Sequence, residues 1–339
     1  MPATFAKGGG QAHSPSAQTP LLRGLSRFRI VRKVGRDSRQ GRRKPMYPAP
    51  IEQYFQPTTV AETLRLLQEH GAGAHVLAGG QSLLPLLKAR TLPARALIDI
   101  NRVPELAGCQ RTAQGLYCGA LLRLAEAANH PDIGRDWLAL AEAAAAVGDR
   151  QVRNRGTVVG SLVFAVHWGD IAPAAAVLAA RLCVTGPQGT REVAVESFVR
   201  GPRLVQLAAH ELAVGLLLPP PPPHTGSGYL KHGRVTQDRA TVGVAVRLTR
   251  SANGTCTAAR IAIGGLAQHP ICRAFALEAR LRDQPLNADL LREIAQLAAT
   301  TIATHDDELA SAAYRRQLLS VYVPRALELA WHRSTENVA

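Results

Sequence analysis

Five consecutive prolines at residues 219–223 constrain the fold of this chain more than any other stretch of its sequence. A proline ring fixes φ and removes the backbone N–H, so such a run continues neither a helix nor the interior of a sheet. A strand-like stretch at 211–218 precedes the prolines, and another at 238–246 follows them. The run therefore predicts a domain boundary, with one domain over residues 46–220 and another over residues 225–333.

The excess of basic residues is concentrated at the amino terminus. Residues 1–45 hold 11 Lys or Arg against the single acid Asp37, a net charge of +10, and we predict a disordered basic tail. This segment is a basic tail, a transit-like peptide, or sequence upstream of a true start at Met46; we favour the last, because ordinary domain sequence begins there. Residues 46–339 have a net charge of only +5, from 29 basic and 24 acidic residues, and no aromatic-interleaved basic patch, so we expect no nucleic-acid partner.

Composition disfavours two other classes of protein. No run of about 18 uncharged apolar residues exists, so we expect no membrane-spanning helix. The cysteines form no C-x-x-C pair and show no Cys/His spacing suited to a metal. We therefore expect reduced thiols, a cytoplasmic location, and neither an iron–sulfur cluster nor another metal site in this chain. The five cysteines are Cys109, Cys118, Cys183, Cys256 and Cys272.

An apolar stretch that ends in two glycines is the strongest candidate for a ligand site. Residues 75–77 predict a buried strand that stops at Gly79-Gly80, with Gln81 and Ser82 after them. Successive amides without obstructing side chains form a concave anion site, which suits a pyrophosphate. The alternative is an ordinary tight turn after a buried strand, for which Gly-Gly is also common.

The sequence around this loop predicts a small α/β unit. Thr59 and Glu62 have the spacing of a capping box, apolar residues follow at helical spacing, and Gly71 is placed to end the helix. A second buried strand is predicted at 95–100, after the loop. Helix, strand, loop and strand in this order favour parallel strand pairing.

A second candidate site combines arginines with small residues. Arg150, Arg153 and Arg155 precede a Gly-Thr-x-x-Gly-Ser motif at 156–161, which offers hydroxyls and bare amides beside positive charge, as a phosphate requires. A solvated charged loop is the alternative. Asp170 follows before an apolar helix, where it either caps that helix or accepts a hydrogen bond from a cofactor hydroxyl.

Residues 225–333 predict a compact α+β domain. Strand patterns occupy 238–246 and 260–265, and two apolar stripes at helical spacing follow them. The first of these helices is placed after Asn287.

Six stretches of the chain carry a family resemblance. They are Ala-Gly-Gly-Gln-Ser-Leu-Leu-Pro at 78–85, Leu-Ile-Asp-Ile-Asn at 97–101, Gln-Val-Arg-Asn-Arg-Gly-Thr-Val-x-Gly-Ser-Leu at 151–162, Tyr-x-Lys-x-x-Arg-x-x-x-Asp-x-Ala at 229–240, Ile-Gly-Gly at 263–265 and Tyr-Arg-Arg at 314–316. Each is weak alone, but their order and spacing are specific. Together they resemble the FAD-binding medium subunits of molybdenum hydroxylases, the family of aerobic carbon monoxide dehydrogenase and xanthine dehydrogenase. The resemblance spans residues 46–333.

The resemblance implies an α+β fold in two parts. The first is the two-subdomain FAD-binding domain of the p-cresol methylhydroxylase and vanillyl-alcohol oxidase type. The second is a small α+β domain with a three-stranded antiparallel sheet and helices. It also implies FAD contacts in two loops, an acidic contact and a lysine near the flavin, where a cation stabilises the reduced anion. These residues are Ala78, Gly79, Gly80, Gln81, Ser82 and Leu83 in the first loop, Thr157, Gly160 and Ser161 in the second, Asp170, and Lys231.

The sequence departs from the family pattern around the second loop. Val159 stands where the family usually has glycine, Val166-His167 stands in place of Asp-Pro, and Asp149 stands in place of a histidine. A β-branched side chain at 159 is expected either to keep the backbone from a phosphate or to need an unfavourable backbone conformation. Weakened or lost FAD binding therefore stays open.

The expected function is that of an electron-transfer subunit in a hetero-oligomer. The resemblance implies a molybdopterin-binding large subunit and a 2Fe-2S small subunit as partners, with FAD collecting electrons from the clusters for an acceptor such as NAD or a quinone. No residue of this chain is predicted to be catalytic, and His167, His232 and Asp149 are expected to be surface or hydrogen-bonded groups. The alternatives are a paralogue that has lost FAD and acts in assembly, and a stand-alone flavin reductase, which the motif at 229–240 disfavours.

Overall fold

A computed structural model of the protein describes residues 51–336. The predicted basic tail at 1–45 and the proposed start at Met46 lie outside these residues.

The described part begins with a parallel sheet. Strands β1 (Gln53–Phe55), β2 (Ala74–Leu77) and β3 (Ala96–Asp99) pair in the order β1-β3-β2, helix α1 (Val60–His70) precedes β2, and helix α2 (Leu83–Lys88) follows it. The helix α1 begins as predicted, because Thr59 Oγ1 accepts a hydrogen bond from the Glu62 amide at 3.1 Å. Gly71 ends the helix at a φ of +51°. The parallel pairing confirms the predicted α/β unit.

An antiparallel sheet of five strands lies at the centre of the next part of the chain. Its members are β4 (Cys109–Thr112), β5 (Gly115–Gly119), β6 (Arg181–Gly186), β7 (Gly189–Ala194) and, after the short pair β8 (Val199–Gly201) and β9 (Leu204–Val205), β10 (Leu212–Leu218). The strand order is β4-β5-β10-β6-β7, so the last strand of this part lies in the middle, and all of its residues are buried. This position explains its continuous apolar sequence.

Short helices pack around this sheet and carry both candidate sites. They are α3 (Leu124–Asn129), α4 (Pro131–Asp136), α5 (Leu138–Ala146), α6 (Arg150–Arg155), α7 (Val158–Phe164), α8 (Ile171–Val177) and α9 (Val195–Phe198). The core between them contains the buried side chains of Trp137, Leu140 and Leu162 and the alanines of α5 and α8. Small alanines allow these helices to approach closely.

A second sheet and three helices form the carboxyl-terminal part. The strands are β11 (Thr225–His232), β12 (Val242–Arg250), β13 (Cys256–Gly264) and β14 (Cys272–Arg273), and the helices are α10 (Phe275–Leu281), α11 (Ala288–Thr301) and α12 (Ala312–Glu336). The first three strands form the predicted antiparallel sheet, and the two-residue β14 adds a short fourth strand at its edge. Asn287 caps α11 as predicted, with Oδ1 accepting from the Leu290 amide at 2.9 Å.

The proline run joins β10 to β11, and its first residue is held in place. Trp137 Nε1 donates a hydrogen bond to the Pro219 carbonyl oxygen at 2.7 Å. Residues from beyond the run, including Tyr229 and Ala245, belong to the same hydrophobic core as β10 and α5. The two predicted domains therefore share apolar contacts across one face of the second sheet.

The expectation that all five cysteines are reduced thiols is wrong for two of them. Cys109 in β4 lies directly opposite Cys118 in β5, and the two form a disulfide. Antiparallel pairing brings them together, which residue spacing alone does not reveal. Cys183 and Cys256 are buried free thiols, and burial raises the pKa of each to about 11, so both stay protonated at neutral pH.

Candidate functional site

The predicted first flavin loop, residues 78–83, carries a run of free amides. Backbone N–H groups that find no acceptor in the protein are satisfied by water or by the oxygens of a ligand. Four of the five residues in this run are half-buried, and Gln81 is exposed. This is the bare-amide arrangement that the sequence predicts. The amides that donate to no acceptor within residues 51–336 are those of Ala78, Gly79, Gly80, Gln81 and Ser82.

Both glycines of the first loop are required by their surroundings. A Cβ on Gly79 would overlap the carbonyl oxygen of Arg155 and lie 2.9 Å from the Cα of Gly156. Gly80 has a φ of +74°, in the left-handed region that residues with a side chain rarely adopt. Leu83, the last residue predicted for this loop, begins α2. The first loop thus lies backbone against backbone with the segment at residues 155–161, which we call the second segment.

A polar bridge also holds the first loop to the second segment. Asn101 Nδ2 donates to the Ala78 carbonyl oxygen at 2.8 Å. Arg123 donates from one terminal nitrogen to Asn101 Oδ1 at 2.6 Å and from the other to the Arg155 carbonyl oxygen at 2.7 Å. A guanidinium with two terminal donors is suited to spanning two acceptors, so Arg123 fixes the distance between the two backbones.

Asp99 orients the asparagine of this bridge. Its Oδ1 accepts from the Asn101 amide at 3.0 Å, and its Oδ2 accepts from the Tyr54 hydroxyl at 2.6 Å. Burial raises the pKa of Asp99, but the hydrogen bonds from Tyr54 and Asn101 outweigh burial and hold the pKa below the ordinary value of 3.8. The carboxylate is therefore ionised at neutral pH and accepts hydrogen bonds only.

The second segment begins a helix, so its amides are less free than predicted. Thr157 caps α7, with Oγ1 accepting from the Gly160 amide at 3.1 Å. The Ser161 amide and hydroxyl both donate to the Thr157 carbonyl oxygen at 3.0 Å. The amide of Thr157 itself donates to no acceptor in residues 51–336. The expectation of bare amides is therefore wrong for Gly160 and Ser161, because the helix cap uses them.

Two of the departures from the family pattern have structural roles. Val159 lies in the first turn of α7, is 4% exposed and belongs to the hydrophobic core, so its side chain needs no unusual backbone conformation. The predicted backbone penalty at Val159 is thus wrong. Asp149 caps α6, with Oδ1 accepting from the Val152 amide at 2.7 Å, which confirms its expected hydrogen-bonded role.

Asp170 and Lys231 meet in a buried cluster between the two parts of the chain. Asp170 precedes α8, but its carboxylate does not cap that helix; it accepts from Tyr229 Oη at 2.6 Å and from Lys231 Nζ at 3.2 Å. Lys231 also donates to the Ala146 carbonyl oxygen at 2.7 Å. Burial raises the pKa of Asp170, while Lys231 and Tyr229 offset part of that rise. Burial and the Asp170 carboxylate hold the pKa of Tyr229 well above its ordinary value, so its hydroxyl stays a donor.

A continuous set of contacts joins this cluster to the loops. Arg153 donates to the carbonyl oxygens of Val147 at 3.1 Å and Gly148 at 3.0 Å, and the carbonyl oxygen of Ala146, just before them, is the one that Lys231 holds. Arg153 and Arg155 belong to the same helix, α6, which ends against Gly79. The structure thus connects the first loop, the second segment, Asp170 and Lys231.

The two histidines expected to be surface or hydrogen-bonded groups lie against other side chains. His232 Nδ1 lies 3.0 Å from the Tyr322 hydroxyl, and its Nε2 lies 3.1 Å from the Tyr314 hydroxyl, which confirms a hydrogen-bonded role. His167 lies beside Trp168, and burial lowers its pKa, so it is neutral at pH 7. Within residues 51–336 no group of three or more His, Cys, Asp or Glu side chains is arranged to hold a metal ion.

Sequence analysis missed the residues that join the loops. Asn101 ends the motif at 97–101, and Arg123 lies in none of the sequence motifs described above. Arg123 contacts an asparagine 22 residues away and a carbonyl oxygen 32 residues away, so no local pattern indicates its role. A long polar side chain just before a helix is the one available signal; the helix itself is capped by Glu126, which accepts from the Arg123 amide at 2.8 Å.

The arrangement of the first loop and the second segment fits FAD. Free amides at 78–82 and the amide of Thr157 provide donors for a pyrophosphate. The backbone contact at Gly79 leaves no side chain between the two sets of donors. Which of the predicted residues contact the cofactor stays a prediction.

Comparisons with known proteins agree with this geometry. The domain family described as the FAD binding domain in molybdopterin dehydrogenase matches residues 49–221, and the family described as the CO dehydrogenase flavoprotein C-terminal domain matches residues 227–330. The carbon monoxide dehydrogenase medium chain of Hydrogenophaga pseudoflava is 34% identical over 84% of this chain and 98% of its own length. The 6-hydroxypseudooxynicotine dehydrogenase complex subunit alpha of Paenarthrobacter nicotinovorans is 32% identical over 84% of this chain and 96% of its own length.

Solved structures give the same result for the fold. A chain of carbon monoxide dehydrogenase from Hydrogenophaga pseudoflava matches with a TM-score of 0.80 at 34% identity, covering 85% of this chain and 99% of that one. A chain of quinoline 2-oxidoreductase from Pseudomonas putida 86 matches with a TM-score of 0.79 at 27% identity, covering 86% of this chain and 100% of that one. The predicted fold class is confirmed. The chain therefore belongs to the FAD-binding medium subunits of molybdenum hydroxylases of the carbon monoxide dehydrogenase and xanthine dehydrogenase type.

Proposed function

We propose that this chain is the electron-transfer subunit of a hetero-oligomeric molybdenum hydroxylase. Its partners are a molybdopterin-binding large subunit and a small subunit with 2Fe-2S clusters. Electrons pass from those clusters to FAD on this chain, and from FAD to an acceptor such as NAD or a quinone. The two curated relatives named above are a medium chain and a complex subunit of dehydrogenases, which supports a role for this chain as one subunit of such a complex.

The observation that carries the proposal is the row of five free amides against the second segment. A pyrophosphate carries charge that backbone N–H groups stabilise when no side chain intervenes, and the Gly79 contact leaves none in between. Arg123 and Asn101 hold the donors at a fixed separation, so their orientation costs little when the cofactor binds.

Bound FAD supplies two-electron redox chemistry, while this chain supplies binding and electrostatics. In this proposal Lys231 is the cation near the flavin that the family resemblance implies, and Asp170, 3.2 Å from its Nζ, offsets part of its charge. The chain's own side chains provide no nucleophile in this proposal, which leaves substrate oxidation to the large subunit.

Purification of the full chain tests the proposal. We expect a yellow protein with a flavin spectrum, FAD binding measured by quenching of flavin fluorescence, and no turnover of substrate by the chain alone. Co-expression with the large and small subunits is expected to give a complex in which substrate reduces the flavin. Turnover by the isolated chain would contradict the proposal and favour a stand-alone flavin reductase.

A second candidate is an assembly subunit without FAD. It is favoured by the second segment, where the Gly160 amide and the Thr157 hydroxyl satisfy each other, and by the pairing of Asp170 with Lys231. A colourless chain that takes up no added FAD and still co-purifies with both partner subunits would support this alternative.

A further inference from the structure

A cavity of about 210 Å³ lies between the two parts of the chain. The turn between α4 and α5 and the first prolines of the run form one wall, and β11, β12 and α12 form the other. We call it the Arg247 cavity, after the central side chain among Arg135, Ser227, Arg247 and Arg333 in its lining. None of its lining residues belongs to the first loop or the second segment, and neither Asp170 nor Lys231 is among them.

Two of the three arginines in the cavity wall are neutralised by carboxylates. Arg333 donates to both oxygens of Glu142, at 2.6 and 3.1 Å, and to the Ser227 carbonyl oxygen at 2.9 Å. Arg135 donates to Asp132 at 2.9 Å and to Asp136 at 3.2 Å. These two guanidinium groups have the partners that arginines at a protein surface usually have.

Arg247 differs from both of them. Its side chain is partly buried, yet it makes no hydrogen bond and no ion pair with any other residue in 51–336. Arginine keeps its proton at neutral pH, and the guanidinium nitrogens of Arg247 are not fully buried, so their donors are satisfied by water or by an anion that enters the cavity.

The neighbours of Arg247 increase its excess positive charge. Arg260 is paired directly with it in the register of β12 and β13, and Arg273 lies farther along the same sheet. Both of these arginines bind Glu196, so that carboxylate is already shared. Burial lowers the pKa of Arg247 to about 10, with Arg260 and Arg273 adding to that effect and Glu196 opposing it.

Ser227, which pairs with Arg247 in the register of β11 and β12, and the start of α5 in the opposite wall contribute further donors. Ser227 Oγ accepts from the Ala139 amide at 3.2 Å, and its own proton has no acceptor within residues 51–336. The helix α5 begins at Leu138 in the opposite wall, with no cap from its own N-cap residue Trp137, so the positive end of its dipole lies there. A fork of guanidinium donors, a hydroxyl and a helix start line one partly open cavity.

We propose that the Arg247 cavity binds a small oxyanion, a phosphate or a carboxylate. The Arg247 guanidinium donates a bidentate pair of hydrogen bonds to the phosphate or carboxylate, and Ser227 donates a further hydrogen bond. The bound anion contacts α5 on one side and β11 and β12 on the other. It therefore stabilises the association of the two parts of the chain.

Binding of inorganic phosphate and of acetate to the full chain tests this site. Isothermal titration calorimetry, at constant ionic strength and with FAD in excess, compares wild type with Arg247→Gln. The matched control is Arg282→Gln, which removes the same charge from an exposed arginine that has no partner within residues 51–336. We expect Arg247→Gln to bind at least tenfold more weakly, and Arg282→Gln to bind like wild type. The probe that binds more tightly distinguishes phosphate from carboxylate.

Thermal unfolding gives an independent measurement. Without added anion, Arg247→Gln is expected to unfold at the temperature of wild type or above it, because the variant loses an unpaired charge. Added phosphate or acetate is then expected to raise the unfolding temperature of wild type and Arg282→Gln only. If Arg247→Gln does not fold, Arg247→Lys, which keeps the charge but loses the fork, is expected to bind at least threefold more weakly.

Three outcomes would overturn the proposal. They are no binding of either probe to wild type at 10 mM, equal binding by wild type and the Arg247 variants, and equal loss in Arg282→Gln. The flavin loops are separate from this test, because Arg247 is not part of them. Failure here leaves FAD binding unaffected, and failure to bind FAD leaves the anion test intact.

Discussion

A single methyl group added at Gly79 tests whether the two loops act together on FAD. In Gly79→Ala the new Cβ would lie 2.9 Å from the carbonyl carbon of Arg155 and from the Cα of Gly156, and closer still to the Arg155 carbonyl oxygen. Ordinary contacts between carbon atoms are about 3.5–4.0 Å, so the two backbones must separate by roughly 1 Å. The φ of Gly79 is not in the left-handed region, so the perturbation is steric.

Overpacking of this kind costs about 1–3 kcal/mol. If FAD binds across both loops, the strain and the lost alignment fall on its affinity, which we expect to drop by about 5- to 150-fold. The assay is a titration with FAD followed by flavin fluorescence, at a temperature where circular dichroism shows both proteins folded. Tight binding requires that amides from both sides face the cofactor at once.

Gly201→Ala is the matched control for this experiment. A Cβ on Gly201 would lie 3.9 Å from the Cβ of Leu204, an ordinary contact, and we expect its FAD affinity to stay within about twofold of wild type. If Gly79→Ala binds FAD as tightly as wild type while remaining folded, the two loops do not jointly hold the cofactor. The argument from backbone contact is then refuted.

Three more predictions concern the bridge and the disulfide. Arg123→Ala removes both hydrogen bonds that Arg123 donates to the bridge. We expect this variant to bind FAD at least tenfold more weakly in a fluorescence titration, and Arg123→Lys to have an intermediate affinity. An unchanged affinity would show that the bridge is not needed. The pKa of Asp99 is lowered in the folded state, so its stabilisation is complete above the unfolded pKa of about 3.9 and is lost as the pH falls through the folded value. In urea unfolding, the difference in the free energy of unfolding between wild type and Asp99→Asn should therefore be constant near neutrality and shrink below about pH 4. A difference that stays constant at all pH values would contradict this prediction. Reduction of the disulfide between Cys109 and Cys118 should lower the free energy of unfolding by about 2–3 kcal/mol. Thiol titration of the unreduced, unfolded protein should count three thiols, whereas five thiols would rule the disulfide out.

Local chemistry made much of the fold predictable. Thr59, Asn287 and Gly71 act at helix ends because short polar side chains and glycine satisfy groups within one turn, which depends only on neighbouring residues. The strand that stops at Gly79-Gly80 was predictable for the same reason, and so was the first row of free amides. The order of the motifs along the chain, which local chemistry does not supply, indicated the family.

The rest depends on contacts between distant residues. The cross-strand disulfide needs the register of β4 against β5, and the Arg123 bridge needs three separate loops in place. Asp170 illustrates the limit most clearly. Its position before α8 suggests a cap, yet a lysine and a tyrosine about 60 residues later occupy its oxygens, because the second sheet packs over the start of that helix.

The anchored proline run has a mechanical consequence. Five prolines between domains ordinarily act as a spacer that lets the domains reorient as separate bodies. Here the indole of Trp137 holds the first proline carbonyl, and residues on both sides of the run share one core. The linker is therefore fixed against both parts of the chain and does not act as a hinge between them. In the electron-transfer function proposed above, FAD on such a frame would keep a constant separation from a docked partner, which would favour a steady rate of electron exchange, since that rate falls steeply with distance.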